Sequence, residues 1–452
     1  MNNSILRLYY SSPYFIKCLF ASGKGYMLNK LRYSKETARL IEEAEKREFW
    51  SKDEWRLYHD VELEKIFNLL KNVPYYKNKN YSLSDFKNIP ILSKETVRDN
   101  NIDLIRDNID NKKLFCDQTS GTTGTPISIW LDEKSIKFWY ALVERRWRNW
   151  YDVCNKDKWV IFGGQVVSSP LQKMPPFWVE NISMHQLYCS VYHLSSKTVK
   201  FYVEKLNKFN PKYIYGYASS LYNLAFESLE QGLVLPIVKV VLSNGEQLYD
   251  YQREIISKAF NAPCQDTYGL SETLVAGSEC EYNKIHIWPE TGIFELLNEN
   301  GEAVDQNEKG KLVSTGLINN AMPLIKYDTG DCISIDYNYI CKCKRSMPII
   351  SSIEGRSDDF ILTSQGNKIG SATISLIFKS DLNIKESQIV QKKDKSIIVR
   401  IVPATKYTND DKVKIKNYIY DRLGDLNIYF ELVDEIKKEK SGKIRSVISE
   451  IN

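Results

Sequence analysis

Thr119-Ser120-Gly121-Thr122-Thr123-Gly124-Thr125-Pro126 is the stretch on which the reading of this chain turns. Seven of its eight residues are Ser, Thr or Gly. Lys113-Leu114-Phe115-Cys116 precedes it and Ile127-Ser128-Ile129-Trp130-Leu131 follows it. Both flanks are rich in apolar, aromatic and β-branched residues, which predicts short strands. A glycine- and hydroxyl-rich loop between strands can turn its N–H groups and hydroxyls toward one point, and such a nest binds anions, phosphate above all. A solvent-exposed hairpin turn would have the same composition. The stretch is not a Walker A loop: it lacks the Gly-Lys-Ser/Thr ending, and no strand-to-helix switch follows.

At 452 residues the chain exceeds one compact core and predicts two or three domains. Hydrophobic residues make up 43% and charged residues 26%, the balance of an ordinary globular protein. The net charge of +5 is small beside 62 basic and 57 acidic residues, which argues against a nucleic-acid partner. No apolar run reaches the length of a membrane span. Residues 1–27 mix aromatics with Arg7, Lys17 and Lys24; they could pack on the main domain or lie on a membrane surface as a peripheral helix. Nine cysteines without a regular framework predict a reducing, cytoplasmic compartment.

Outward from the loop, residues 29–72 read as helical, and Leu63, Ile66, Phe67 and Leu70 share one face. Pro74 ends that helical stretch, and Ser93 caps the next helix. Downstream, Lys134–Tyr151 reads as a helix and Lys158–Gly164 as a buried strand. A helix at Ser195–Phe209, a strand at Tyr213–Tyr217, a helix at Ser219–Gln231 and a strand at Val238–Gly245 follow. Asp250–Ala259 and Cys264–Gly269 continue the alternation. That rhythm predicts an α/β fold with mostly parallel strands, whose ligands sit at the strands' carboxyl ends. Gly164, Gly216, Gly245 and Gly269 fall there. From Ile285 to residue 357, short strands including Met322–Tyr327 predict a small antiparallel sheet or barrel. Residues 358–452 have βαββαβ character and the length of a separate domain.

Four further strings carry chemistry. Asp266-Thr267-Tyr268-Gly269-Leu270-Ser271-Glu272 offers an aromatic face, bare backbone and a carboxylate suited to Mg2+; it also fits a strand end with a capping Ser. Tyr327-Asp328-Thr329-Gly330-Asp331 supplies a carboxylate that could accept both ribose hydroxyls. Glu354-Gly355-Arg356-Ser357-Asp358-Asp359 and Ser441-Gly442-Lys443-Ile444-Arg445 complete the set; the last fits a basic tail equally well. Separately, Cys280, His286, Cys341 and Cys343 bring three thiols and one imidazole together, the donor set of structural zinc. Isolated cysteines also serve as small buried hydrophobes.

Taken together and in order, these motifs resemble the signatures of the adenylate-forming superfamily. The Val73-Pro74-Tyr75-Tyr76 and Pro90-Ile91-Leu92-Ser93-Lys94 strings resemble its phenylacetate–CoA ligase and capsule-biosynthesis (CapK-like) branch. The resemblance covers nearly the whole chain. It implies a large N-terminal α/β domain over 1–357 (a helical region over 1–100 and an antiparallel sheet with a zinc site over 285–357) and a mobile α+β C-terminal domain over 358–452. It implies that ATP is held by Thr119, Ser120, Gly121, Thr122, Thr123 and Gly124, by Asn244, Gly245 and Glu246, by Thr267, Tyr268 and Gly269, and by Asp331 and Arg356. Many relatives carry Lys where Thr125 stands here. By the same resemblance Thr123, Glu272 with Mg2+, and Lys443 act on the phosphates. Asp358 is the hinge, and Gly366 borders a thiol tunnel. The acid would lie among Tyr215, Tyr217, Asn244, Gly245, Tyr268 and Gly269. The implied activity is adenylation of a small carboxylic acid, then acyl transfer to CoA, to a carrier protein or to an amine such as a sugar amine in capsule or lipopolysaccharide assembly. A catalytically inactive scaffold is the alternative. His185, His193, Trp147, Trp150 and Trp159 read as structural or core residues.

Overall fold

The computed structural model describes residues 9, 11–79, 81–118, 127–165, 167–169, 172–305, 307–356, 360–364, 368–370, 374, 378, 382–439 and 444–451. The loop 119–126, Asp358, Gly366 and Lys443 lie outside them.

Helices α1 (Tyr14–Arg32), α2 (Lys35–Arg47) and α3 (Lys52–Leu70) open the described chain. The single helical stretch expected over 29–72 is broken twice, each time at a serine. The Ser34 hydroxyl accepts the Thr37 amide and Ser51 accepts that of Glu54, while the Thr37 and Glu54 side chains accept from the serine amides. These reciprocal caps satisfy the exposed donors of a new helix start and fix it there.

Strands β1 (Phe115–Gln118) and β2 (Ser128–Leu131) pair antiparallel, Phe115 opposite Leu131 and Gln118 opposite Ser128. The expected flanking strands are present, and the Ser/Thr/Gly motif connects their ends. Helix α4 (Glu133–Val143) starts at the Asp132 cap and continues through a π-turn, Glu144–Arg148.

The strands that follow build one large sheet. They are β3 (Trp159–Gly163), β4 (Trp178–Asn181), β5 (Gln186–Ser190), β6 (Tyr213–Gly216), β7 (Val240–Asn244), β8 (Cys264–Gly269), β9 (Ala276–Glu279), β10 (Ile285–Ile287), β11 (Gly292–Leu297), β12 (Gly310–Gly316), β13 (Tyr327–Asp336) and β14 (Ile349–Arg356). Among the described residues the order is β11-β12-β13-β14-β10-β9-β8-β7-β6-β3-β5-β4. The centre, β5-β3-β6-β7-β8, is parallel, and the remaining pairs are antiparallel. The chain is thus the expected mixed α/β fold, with the antiparallel strands joined edge-on to the parallel block through β9.

Helices α5 (Val199–Phe209), α6 (Ala218–Glu230) and α7 (Asp250–Phe260) are the crossovers. They bury Tyr202, Leu206, Leu221, Leu224 and Ile256 against Val160, Phe162, Ile214 and Val241 of one sheet face. Strand side chains alternate, so Trp159, Tyr213, Val240 and Leu242 face the other way, toward α1. Two local expectations change. Helix α5 starts at Val199 rather than Ser195; the Ser195 amide donates to the Thr198 hydroxyl across the turn that leads into it. Met322–Lys326 is loop rather than strand: side-chain acceptors on Asn319, Tyr76 and Thr315 take the amides of Met322, Ile325 and Lys326.

A separate smaller unit follows. A β15 (Phe360–Leu362) and β16 (Lys368–Gly370) hairpin leads to a sheet of β17 (Ile384–Gln391), β18 (Ile397–Pro403), β19 (Ile428–Leu432) and β20 (Val447–Ser449), ordered β19-β18-β17-β20. Helix α8 (Asn409–Leu423) covers it, burying Ile415, Ile419 and Leu423 on Ile389, Val399 and Ile401.

Candidate active site

The carboxyl ends of β7 and β8 open into a cavity of about 270 Å3. Gly245, at φ +70°, turns the chain out of β7 in a conformation that an L side chain resists. Gly245, Glu246, Thr267, Tyr268 and Gly269 line one side of the cavity, and Asp331 of β13 lines another. The C-terminal unit closes it with Ile444, Arg445 and Ser446.

Hydrogen bonds fix these walls. The Tyr268 hydroxyl donates to Asp331 Oδ2 at 2.6 Å, tying β8 to β13. The Thr267 hydroxyl donates to the Ser243 carbonyl. Glu246 is held from two domains: Oε2 accepts the Ser219 amide at the start of α6, and Oε1 accepts the Ile444 amide, both at 2.8 Å. A carboxylate at a helix N-terminus is electrostatically favoured there. Tyr249 and Ser446 share a hydroxyl contact of 3.1 Å. Ile444 and Ser446 are thereby seated against the carboxyl ends of the parallel strands. Arg356 stands opposite Asp331 in the β13–β14 register, and Asn244 stands opposite Thr267. Glu272 is buried and accepts the Tyr327 hydroxyl at 3.0 Å.

Asp266 was not singled out by its sequence, yet it also lines this cavity. Burial, and then repulsion from Glu279, push its carboxyl up to about 7, against the opposing pull of Arg253. A carboxyl raised in the folded state binds its proton more tightly there than in the unfolded chain. The stability it contributes is complete below the unfolded value, near 4, and is lost as pH rises toward 7. Asp266→Asn is therefore expected to match the parent near pH 4 and to be the more heat-resistant protein at pH 8. Thermal midpoints measured across that window check this; parallel curves would contradict it.

Tyr215 lies elsewhere than its sequence neighbours on β7 and β8. It lines a second cavity, of about 830 Å3, on the sheet face toward α1. Trp147 and Trp159, read from sequence as core, share that lining with Arg32 and Tyr140. Trp147, in the lining of the second cavity, contacts Tyr215 with ring centres 5.8 Å apart and lies beside Gly269, which lines the first. Tyr217 packs instead against the core beneath α6. Of the histidines, His193 is structural, stacked on Phe177 and paired with Ser190 and the Ser169 carbonyl.

The Cys/His set does converge. Strand β10 lies between β9 and β14. Cys280 after β9, His286 in β10 and the Cys341–Cys343 turn before β14 therefore meet, with their donor atoms all within 4.8 Å of one another. His286 Nδ1 pairs with the Met347 carbonyl at 3.0 Å, which leaves Nε2 toward Cys343 Sγ at 3.2 Å. A carbonyl on the far ring nitrogen is the usual orienting partner of a metal-binding imidazole. Three thiols and one imidazole fit a four-coordinate zinc.

A family model described as the CapK C-terminal domain matches residues 361–450. Protein CapK of Staphylococcus aureus is 28% identical over 458 residues, covering 98% of this chain and 99% of that protein. A phenylacetate–coenzyme A ligase of Pseudomonas putida is 26% identical over 287 residues, 62% of this chain and 63% of that one. Among solved structures, a 2-hydroxyisobutyryl-CoA ligase in the postadenylation state superposes with a TM-score of 0.68 at 18% identity, covering 89% of this chain and 91% of that one. An anthranilate CoA ligase superposes at 0.52 with 15% identity, over 75% and 67%. The full-length likeness to CapK, the match of residues 361–450 to the CapK C-terminal domain and the fold shared with acid–CoA ligases agree: this chain is similar along its whole length to CapK and has the fold of the adenylate-forming CoA ligases.

Proposed function

We propose that this protein activates a carboxylic acid with ATP and then passes the acyl group to CoA. A carboxylate oxygen attacks the α-phosphorus, its bond to the pyrophosphate oxygen breaks, and acyl-adenylate and pyrophosphate result. The CoA sulfur then attacks the acyl carbon and AMP leaves. The observation that carries this reading is the seating of Ile444 on Glu246, beside the Tyr268–Asp331 pair in one cavity. That seating supports a place for Lys443 at the reacting phosphate, where a cation stabilises the charge that grows as pyrophosphate departs. Asp331 takes the ribose hydroxyls, and the loop 119–126 takes the outer phosphates. Glu272 would hold Mg2+, since a buried carboxylate oriented by Tyr327 suits a hard cation; the ion would neutralise phosphate charge. Asp358 is the hinge about which residues 358–452 turn between the two half-reactions.

The acyl end of the substrate extends past Trp147 and Tyr215 into the second cavity. Its size falls within the range that encloses drug-sized ligands, and its aromatic lining suits a large apolar acid. ATP–pyrophosphate exchange over a panel of aromatic and long-chain acids tests the reading. At least one acid should stimulate exchange, and larger acids should outdo acetate. Exchange with none of them, in protein that binds ATP, would overturn it.

Zinc on Cys280, His286, Cys341 and Cys343 would pin β9, β10 and β14 together and take no part in the chemistry. Protein purified without chelator is expected to carry about one equivalent of zinc, and Cys341→Ser to lower both zinc content and thermal midpoint. Metal-free protein of unchanged midpoint would contradict this.

A further inference from the structure

Helix α1 packs one side against the large domain, and no described residue covers the other. Lys17 and Gly25 are buried, Asn29 donates to the Ser183 carbonyl, and the Ser22 hydroxyl accepts the Ile182 amide. On the outward half stand Phe15, Leu19, Phe20, Tyr26 and Met27, 64–72% exposed. At about 100° per residue, Phe15, Leu19, Tyr26 and Met27 fall within roughly 120° of arc, so they form one stripe rather than scattered apolar side chains. Exposed Lys30 stands one turn beyond Tyr26 within the same arc, exposed Lys24 lies beside it past Phe20, and α1 contains four basic residues and no acidic one. No described helix is long and apolar enough to cross a membrane.

We propose that α1 seats this protein on an anionic lipid surface, with the stripe at the acyl boundary and Lys24 and Lys30 among the headgroups. An apolar stripe whose exposed charges are all basic is the pattern of interfacial helices, whose binding adds apolar burial to attraction for anionic lipid. A second copy of the chain fits less well, because α1 against α1 would oppose like charges. Phe20 and Lys24 also line the 830 Å3 cavity. This docking does not depend on the activity proposed above.

The test is co-flotation of the full chain with vesicles of phosphatidylcholine alone or with about one third phosphatidylserine, the lipid whose charge attracts basic segments. The expected result is binding to the anionic vesicles, weakened in high salt. Phe15→Ser/Leu19→Ser/Met27→Ser should lose it at an unchanged thermal midpoint, since these side chains are exposed, and Lys24→Glu/Lys30→Glu should weaken it at least tenfold. Absence of binding, binding unaltered in either variant, or a dimer in solution that the triple variant dissolves would each overturn the proposal. Pyrophosphate exchange without lipid reads out the ligase function separately.

Discussion

Lys443→Ala is expected to lower the rate of adenylate formation by at least about a hundredfold, the loss typical when one preorganised charge-stabilising group is removed. The adjoining amide of Ile444 is anchored on Glu246, a residue of the cavity wall. The variant therefore keeps its backbone in place and loses only the cation. On the proposal that the lysine serves the phosphate and not the thioester step, the variant should still convert a supplied acyl-adenylate and CoA to product near the parent rate. Single-turnover measurement of each half-reaction decides this. Equal loss in both, in folded protein, would remove Lys443 from its assigned role.

The largest loss of stability is expected at Glu290. Its Oε1 accepts from Arg47 Nε at 2.9 Å and from Arg146 Nη2 at 2.6 Å, while Oε2 accepts from Arg146 Nη1 at 2.8 Å. Glu290 and Arg146 are fully buried, and Arg47 nearly so. Burial alone would raise the Glu290 carboxyl, but the Arg146 and Arg47 guanidiniums outweigh it and hold the group below the usual carboxylate range. The cluster joins α2 to the π-turn after α4 and to the turn after β10. Glu290→Ala leaves the two buried guanidiniums with only the longer contacts from Arg47 to Glu43 at 3.7 Å and from Arg146 to Glu48 at 3.8 Å, a change that costs about 3–5 kcal/mol. Urea unfolding should show a midpoint lowered accordingly. A loss below about 1 kcal/mol, the range of exposed pairs, would mean that water enters the cluster.

The parts of the fold that were legible in the sequence are those dictated locally. Strands β3, β6 and β7 announce themselves as apolar runs ending at glycine, β8 as a short run ending in Tyr-Gly, and α6 and α7 as the helices between them. Helix breaks at Ser34 and Ser51 were missed although their signal is local: each serine precedes its cap partner by three residues. Of the strand expected at Met322–Tyr327, the part Met322–Lys326 failed for a different reason, since side chains from Asn319, Tyr76 and Thr315 claim its amides. Site residues grouped in one motif, such as Thr267, Tyr268 and Gly269, were legible together. The Tyr268–Asp331 pair and the Glu279 neighbour that shifts Asp266 were not, because strands distant in sequence supply the partner. Trp147 and Trp159 look like core in any sequence; only the packing of α1 across the sheet shows the cavity they line. The Cys/His set was readable as residue types, and the order β9-β10-β14 explains why such loose spacing converges.

The central claim, that a carboxylate attacks the α-phosphorus of ATP, is tested most directly by following the carboxylate oxygens. With an acid labelled in both oxygens with oxygen-18, thioester formation should deliver one labelled oxygen to the phosphate of AMP and none to pyrophosphate, because the bridging oxygen of the adenylate leaves with AMP. Label in orthophosphate with ADP as co-product, or thioester formed with unlabelled AMP, would contradict it.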